Sequence, residues 1–222
     1  GYLKILLDED RLPALDGLVE RINAARQKGR NVAFHCVTHL ELVFALAALD
    51  DAAPPAFGFD RIEHGAMIND EMARHLAHRR IPVITQPGFL YAKGDQYLND
   101  LSISEQGDLY RYRGLIERGV SVVASSDGPY GPISPWQVIS SGVSRTSRGG
   151  IAITPCERVE PEQALSGYLT PSAELNAERN FQELTELRVG ASADLCLLKQ
   201  RWSEVRTSPE RITVGATVIQ FA

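Results

Sequence analysis

From Tyr2 to Ser147, short apolar, β-branched runs alternate with longer amphipathic stretches, and few folds accommodate that rhythm. Tyr2 to Leu7 reads as a strand and Pro13 to Lys28 as a helix, with Leu15, Leu18, Ile22 and Ala25 at helical intervals and Gly29 as the stop. Val32 to Val37 is a second strand, followed by a Leu- and Ala-rich helix from Thr38 to about Asp51. Arg61 to His64 makes a short third strand before a helix capped by Asn69 or Asp70 and running to about Arg79. Pro82 to Thr85 is the fourth strand. A long polar loop is expected next, from Gly88 to Gln106, and then a helix from about Leu109 to Arg118. Val120 to Ser125 gives a fifth strand and Pro135 to Ser147 the helix after it. Apolar strands joined by helices predict an α/β fold, with a buried parallel sheet and helices packed outside it.

Beyond Gly149 the rhythm stops. Helical stretches are expected near Glu160 to Tyr168 and Ser172 to Arg179, and Asp194 to Leu198 with Arg211 to Phe221 read as strands of a separate small sheet. With 222 residues, 44% of them hydrophobic, the chain can bury one substantial core. A net charge of −5 gives no basic surface for nucleic acid or an anionic membrane, so a small-molecule substrate is the expected partner. Three scattered cysteines, Cys36, Cys156 and Cys196, make neither a disulfide framework nor a zinc ribbon. A cytoplasmic location is expected, since no secretory leader and no membrane-spanning apolar run is present.

Parallel α/β proteins bind ligands at the C-terminal ends of their strands. His35, His64, Gln86 and Asp127 each follow an apolar run at such a place. Two histidines and one carboxylate on a common rim would suit zinc, manganese or iron. Taken singly, each has a plainer reading, the histidines as hydrogen-bonded structural residues and Asp127 as a turn former before Gly128 and Pro129. The ordered set on successive strands is more specific than any one member. His75 and His78 read as a solvated helix face, and Asp8, Glu9 and Asp10 as a solvated loop. Cys36 should point away from His35 as a buried small hydrophobe. No glycine-rich phosphate loop follows any strand, which argues against a nucleotide-binding sheet.

His35 after one strand, Arg61-Ile62-Glu63-His64 after the next and Ser126-Asp127-Gly128-Pro129 after the last together resemble the amidohydrolase superfamily, and within it the amidohydrolase 3 group that includes N-substituted formamide deformylases. Thr85-Gln86-Pro87 and the run Gly190, Ala193, Asp194, Leu195 add to the likeness, which covers nearly the whole chain. The resemblance implies a (β/α)₈ TIM-type barrel of which about strands four to eight are present, over residues 1–185, with residues 186–222 giving strands of a composite β-sandwich. It implies one or two divalent ions, zinc foremost, held by His35, His64, Asp127 and Lys4, the last standing where many members carry a carboxylated lysine. The usual Lys-x-x-x-Asp-Gly wording is kept only as far as Asp8, with Glu9 replacing the glycine. Asp127 would be the catalytic proton carrier in hydrolysis of a non-peptide carbon–nitrogen bond, on an amide or formamide-like substrate. Gln86, Phe89, Tyr91, Tyr97 and His39 are expected to face the substrate, with Gly128, Tyr130 and Trp136 shaping the mouth.

The family's strand-one His-x-His occurs nowhere in the chain, and Gly1 precedes the first strand without an initiator Met. Strands one to three are therefore expected to be missing, and this polypeptide alone to be inactive or much impaired. A homo-oligomer or a missing N-terminal half would cover the open sheet edge. Two other readings stay open: a non-catalytic half-barrel, and another metal-dependent α/β enzyme such as an aldolase or decarboxylase.

Overall fold

The computed structural model describes residues 1–55, 57–169, 189–190 and 193–219. Among them the chain forms a five-stranded parallel sheet in the order β1-β2-β3-β4-β5 and a separate two-stranded antiparallel sheet. The strands of the first are β1 (Tyr2–Leu6), β2 (Asn31–Cys36), β3 (Arg61–His64), β4 (Val83–Thr85) and β5 (Val122–Ala124). Sequential order across the sheet follows from the helical crossovers α1 (Leu15–Gln27), α2 (His39–Asp51) and α3 (Asp70–His78), each returning the chain to pair beside the strand it left.

Alternation along the strands sorts the two faces. Ile5, Val32, Phe34, Cys36, Ile62, Val83, Val122 and Ala124 enter the core under the helices, with Leu18, Ile22, Leu42, Leu49 and Leu76. Cys36 is buried there, in the outward direction expected for it. At the foot of the sheet the Arg26 guanidinium grips Asp60 through both oxygens (2.8 and 2.6 Å), and Asp60 also accepts from the Val32 amide at 2.8 Å. On the other face stand Lys4, Leu6, Ala33, His35 and Glu63. Leu6 and Lys4 on edge strand β1 are exposed.

The segment expected as a polar loop folds instead into α4 (Gly88–Asp100) and α5 (Ile103–Asp108). Gly88 and Gly94, both within α4, are small because neighbours press on them. A Cβ at Gly88 would meet Pro132 and Val138, and one at Gly94 would meet Ile153 and Ser147. The helix expected over Leu109 to Arg118 is correspondingly short, α6 (Arg113–Glu117). Leu109 instead bridges to Met67, and Tyr110 takes a left-handed backbone (φ 42°) whose amide donates to Ala66 O. Helix α7 (Pro135–Ser144) ends three residues earlier than read from sequence, because Arg145 turns left-handed (φ 46°).

Helix α8 (Pro161–Leu169) agrees with expectation, whereas the helix read at Ser172 to Arg179 lies outside the described residues. The small sheet pairs β6 (Leu195–Leu198) with β7 (Val214–Val218), and α9 (Trp202–Val205) lies between them in sequence. Strand β7 starts later than expected, since Pro209–Arg211 is a 3₁₀ turn, and the expected end at Phe221 lies outside the described residues. Ser140 Oγ donates to Glu210 (2.6 Å) and Arg206 to Glu162 (2.9 Å), tying this tail to α7 and α8. Among the described residues no helix is long and apolar enough to cross a membrane.

Candidate metal centre at the strand ends

His35 is the penultimate residue of β2 and lies opposite Glu63 in the ladder. The turn after it is pinned by Glu41, whose carboxylate accepts from the Val37 amide (2.5 Å) and the Thr38 amide (3.1 Å), while Thr38 Oγ1 accepts from the Glu41 amide. This reciprocal cap starts α2 at His39 and holds His35 at a fixed height above the sheet.

By simple alternation His64 would follow Ile62 into the helix layer. A left-handed backbone (φ 69°) redirects it, and its ring meets His35 edge to face with centroids 4.3 Å apart. On its other side the ring stacks on Phe89 at 6.4 Å, and Phe89 in turn packs on Tyr110 at 5.9 Å. Asp127, after β5, is left-handed as well (φ 49°). Left-handed non-glycine residues are uncommon and collect where structure is held for function, so three around one rim, His64, Tyr110 and Asp127, mark it out.

Burial pushes both imidazoles below the usual histidine range, and a charge on His35 further disfavours one on His64. Asp127 opposes this at both rings, and Lys4 adds to it at both, so the four side chains share one electrostatic neighbourhood. Burial, then the neighbouring Tyr97, raises the Tyr110 phenol far above its usual range, and Asp127 contributes there too.

Neutral imidazoles with free lone pairs fit a divalent ion. A metal-ligating ring usually holds its second nitrogen against an acceptor, and for the buried and otherwise unpartnered Nδ1 of His64 the Gln86 side chain is within reach. Yet among the described residues no three His, Cys, Asp or Glu side chains stand together closely enough to hold an ion.

The residues expected to face a substrate divide. Gln86 is 2% exposed and sits behind His64, with its Nε2 donating to Ile84 O and Ser125 Oγ, both at 3.0 Å. Phe89 is buried between His64, Tyr110 and the Lys93 ammonium, which lies 4.5 Å from its ring centre. Tyr91 is half-buried under the Arg148 guanidinium. His39 opens α2, and its Nε2 lies 3.1 Å from Asp108 Oδ2. Tyr130 is exposed beside the Asp127 turn. His75, read as a solvated residue, is half-buried with Asp50 at 3.1 Å, and His78 is exposed. Asp8, Glu9 and Asp10 are exposed at a 3₁₀ turn.

Sequence reasoning missed Tyr110, whose Leu-Tyr-Arg-Tyr setting carries no pattern of its own, and Lys93. Helical spacing from Phe89 could have found the lysine had the segment been read as a helix.

The model of the Amidohydrolase family matches residues 6–220. A Bacillus subtilis (strain 168) protein named "Putative amidohydrolase YtcJ" is 26% identical over 155 residues, which are 68% of this chain and 29% of that protein. The N-substituted formamide deformylase of Arthrobacter pascens is 26% identical over 139 residues, 62% of this chain and 25% of that enzyme. Among solved structures, an uncharacterized metal-dependent hydrolase from Pyrococcus furiosus superposes with a TM-score of 0.62 at 26% identity, over 74% of this chain and 33% of that one. The chain therefore spans a third or less of the length of each of these proteins. Because the family match runs nearly from end to end and takes in β2 to β5 whole, the chain belongs to the amidohydrolase family.

Proposed function

We propose that these residues are part of a metal-dependent hydrolase acting on non-peptide carbon–nitrogen bonds of amide or formamide-like small molecules. In this reading β1 to β5 are strands four to eight of a (β/α)₈ barrel spanning residues 1–185, and residues 186–222 contribute strands to a small β-sandwich. The observation that carries it is the contact between the His35 and His64 rings at neighbouring strand ends. The likeness to an N-substituted formamide deformylase favours the formamide-like class.

His35 and His64 would present neutral nitrogens to a divalent ion, zinc foremost, with Asp127 and Lys4 beside them, as one ion or a pair. Such an ion supplies Lewis acidity and makes a water acidic near neutral pH. Asp127 takes the proton from the attacking water and hands it to the departing nitrogen as the new carbon–oxygen bond replaces the carbon–nitrogen bond. Phe89, itself packed on Tyr110, stacks on the His64 ring and holds it in place.

Since no three donors assemble among the described residues, the same reading holds that these 222 residues alone are inactive and that further donors come from elsewhere in the intact gene product. The test is metal analysis and amide and formamide hydrolysis by the intact product and by its His35→Ala, His64→Ala and Asp127→Ala variants. Expected are sharply lower metal content in both histidine variants and loss of turnover in all three; unchanged metal content in His35→Ala removes that residue from the centre. Metal retained with no turnover of either substrate class would instead favour an aldolase or decarboxylase on the same rim.

A further inference from the structure

The Gln86 carboxamide is buried, and its two ends are chemically distinguishable. Nε2 meets the Ile84 carbonyl, which can only accept, so the nitrogen end is fixed by chemistry, and the same nitrogen donates to Ser125 Oγ. That leaves Oε1 as the end without a partner, although it is buried. Within hydrogen-bonding reach of this side chain is the His64 ring, whose buried Nδ1 is also without a partner. Two atoms without partners, one able to donate and one only to accept, thus belong to side chains within reach of one another. One hydrogen bond removes the desolvation cost of both.

We infer that Gln86 is a positioning residue whose Oε1 accepts the Nδ1 proton of His64, fixing the tautomer that leaves the His64 Nε2 lone pair free for a divalent cation. The inference rests on the reading of His64 as a metal ligand. Gln86 is buried, and its anchors explain how it can act through the histidine. Ile84 O belongs to β4, and Ser125, whose amide donates to Thr85 O at 2.9 Å, extends the β4–β5 pairing. The amide is therefore held from two strands, and Ser125 lies two residues before Asp127, so one clamp orients His64 and the start of the Asp127 turn. Acceptors behind a metal-binding imidazole fix its ring and tautomer, and their loss weakens metal binding by about 10–100-fold.

The experiment uses the intact gene product, freed of metal and labelled with ¹⁵N-histidine, at a pH where imidazoles are neutral. Long-range ¹H–¹⁵N correlation spectra, with His64→Ala for assignment, should give His64 a protonated Nδ1 and an unprotonated Nε2. Competition titration with Zn²⁺ and a chromophoric chelator should show Gln86→Met, which keeps the side-chain volume, binding about 10–100-fold more weakly, with a mixed His64 tautomer. A wild-type His64 protonated on Nε2 overturns the inference, and does so even if the Gln86 variant fails to fold. Zn²⁺ affinity lowered by His64→Ala but untouched by Gln86→Met overturns the role of Gln86 alone; affinity untouched by both overturns the ligand reading beneath it.

Discussion

The rings of His35 and His64 touch although the β-ladder pairs His64 with Cys36, a core residue on the opposite face. The left-handed backbone at His64 makes this possible by carrying its side chain across the plane of the sheet. A β-branched side chain in that conformation costs about 1–2 kcal/mol, whereas asparagine tolerates it. His64→Val should therefore unfold at lower denaturant concentration than His64→Asn by about that margin, since both remove the imidazole. Equal midpoints would mean that the backbone at residue 64 carries no strain.

Burial of these two rings makes stability depend on pH. Burial, and for His64 the neighbouring His35, lowers the folded-state pKa of both rings, so the unfolded chain binds protons more readily. The histidine contribution is fully present above the unfolded value near ~6.5 and is lost as pH falls through the lowered folded values. Thermal unfolding at pH 7.5 and at pH 5 (both on the order of one unit or more from ~6.5) should show a loss of stability that is smaller in His64→Gln than in wild type. An equal loss in both would assign the pH dependence to other groups.

How much of this was legible in the sequence depends on which force fixes each element. Burial fixes β1 to β3 and the helices α1 to α3, and burial leaves a periodic trace in Leu18, Ile22 and Ala25 or in Val32, Phe34 and Cys36. The placement of His35 and His64 at strand ends follows from the same trace. Helix α4 left none, because Gly88 and Gly94 are selected by the approach of Pro132 and Ile153, residues far away in sequence. The inward turn of His64, the left-handed Tyr110 and the burial of Gln86 depend on single backbone angles and on neighbours from other strands, which no local pattern records.

Gly94 gives the direct test of that point. A methyl group there would collide with Ile153 Cδ1 and stand 3.0 Å from Ser147 Cβ. An alanine in an exposed helix would stabilise it, but overpacking a closed contact costs about 1–3 kcal/mol. Gly94→Ala should therefore lower the denaturation midpoint, and pairing it with Ile153→Val should recover part of the loss. A stabilised Gly94→Ala protein would show that α4 is not packed as described.

Asp60 is the counter-charge of Arg26, both side chains being almost fully buried, and it also serves the Val32 amide at the start of β2. Removing one partner of such a pair leaves an uncompensated buried charge, which costs about 3–5 kcal/mol. Asp60→Ala should destabilise by that order, and Arg26→Met with Asp60→Leu together should be much less harmful, because no charge is then left alone. Chemical denaturation of the single and double variants measures both; a single variant within about 1 kcal/mol of wild type, the range of an exposed pair, would show the bridge to be solvated.

Arg145 is wholly buried, and its guanidinium donates to Leu109 O (2.9 Å), Tyr110 O (2.8 Å) and Ile153 O (2.9 Å). Burial lowers its pKa to about 10, so it still carries its charge at neutral pH. It holds the left-handed turn at Tyr110 against the strand ends, where Tyr110 backs the ring that stacks on His64. Arg145→Ala strips three buried carbonyls of their donor, at about 1–3 kcal/mol each, so a loss of several kcal/mol is expected. Arg145→Lys should rescue little, because one ammonium cannot span three acceptors that a planar fork reaches together. Hydrogen exchange supplies the local readout: the amides of Tyr110 and Ile153, which donate to Ala66 O and Arg145 O, should lose protection in the lysine variant before the core of β2 does. Full protection and wild-type stability in Arg145→Lys would mean that charge alone, and not the fork, organises this side of the site.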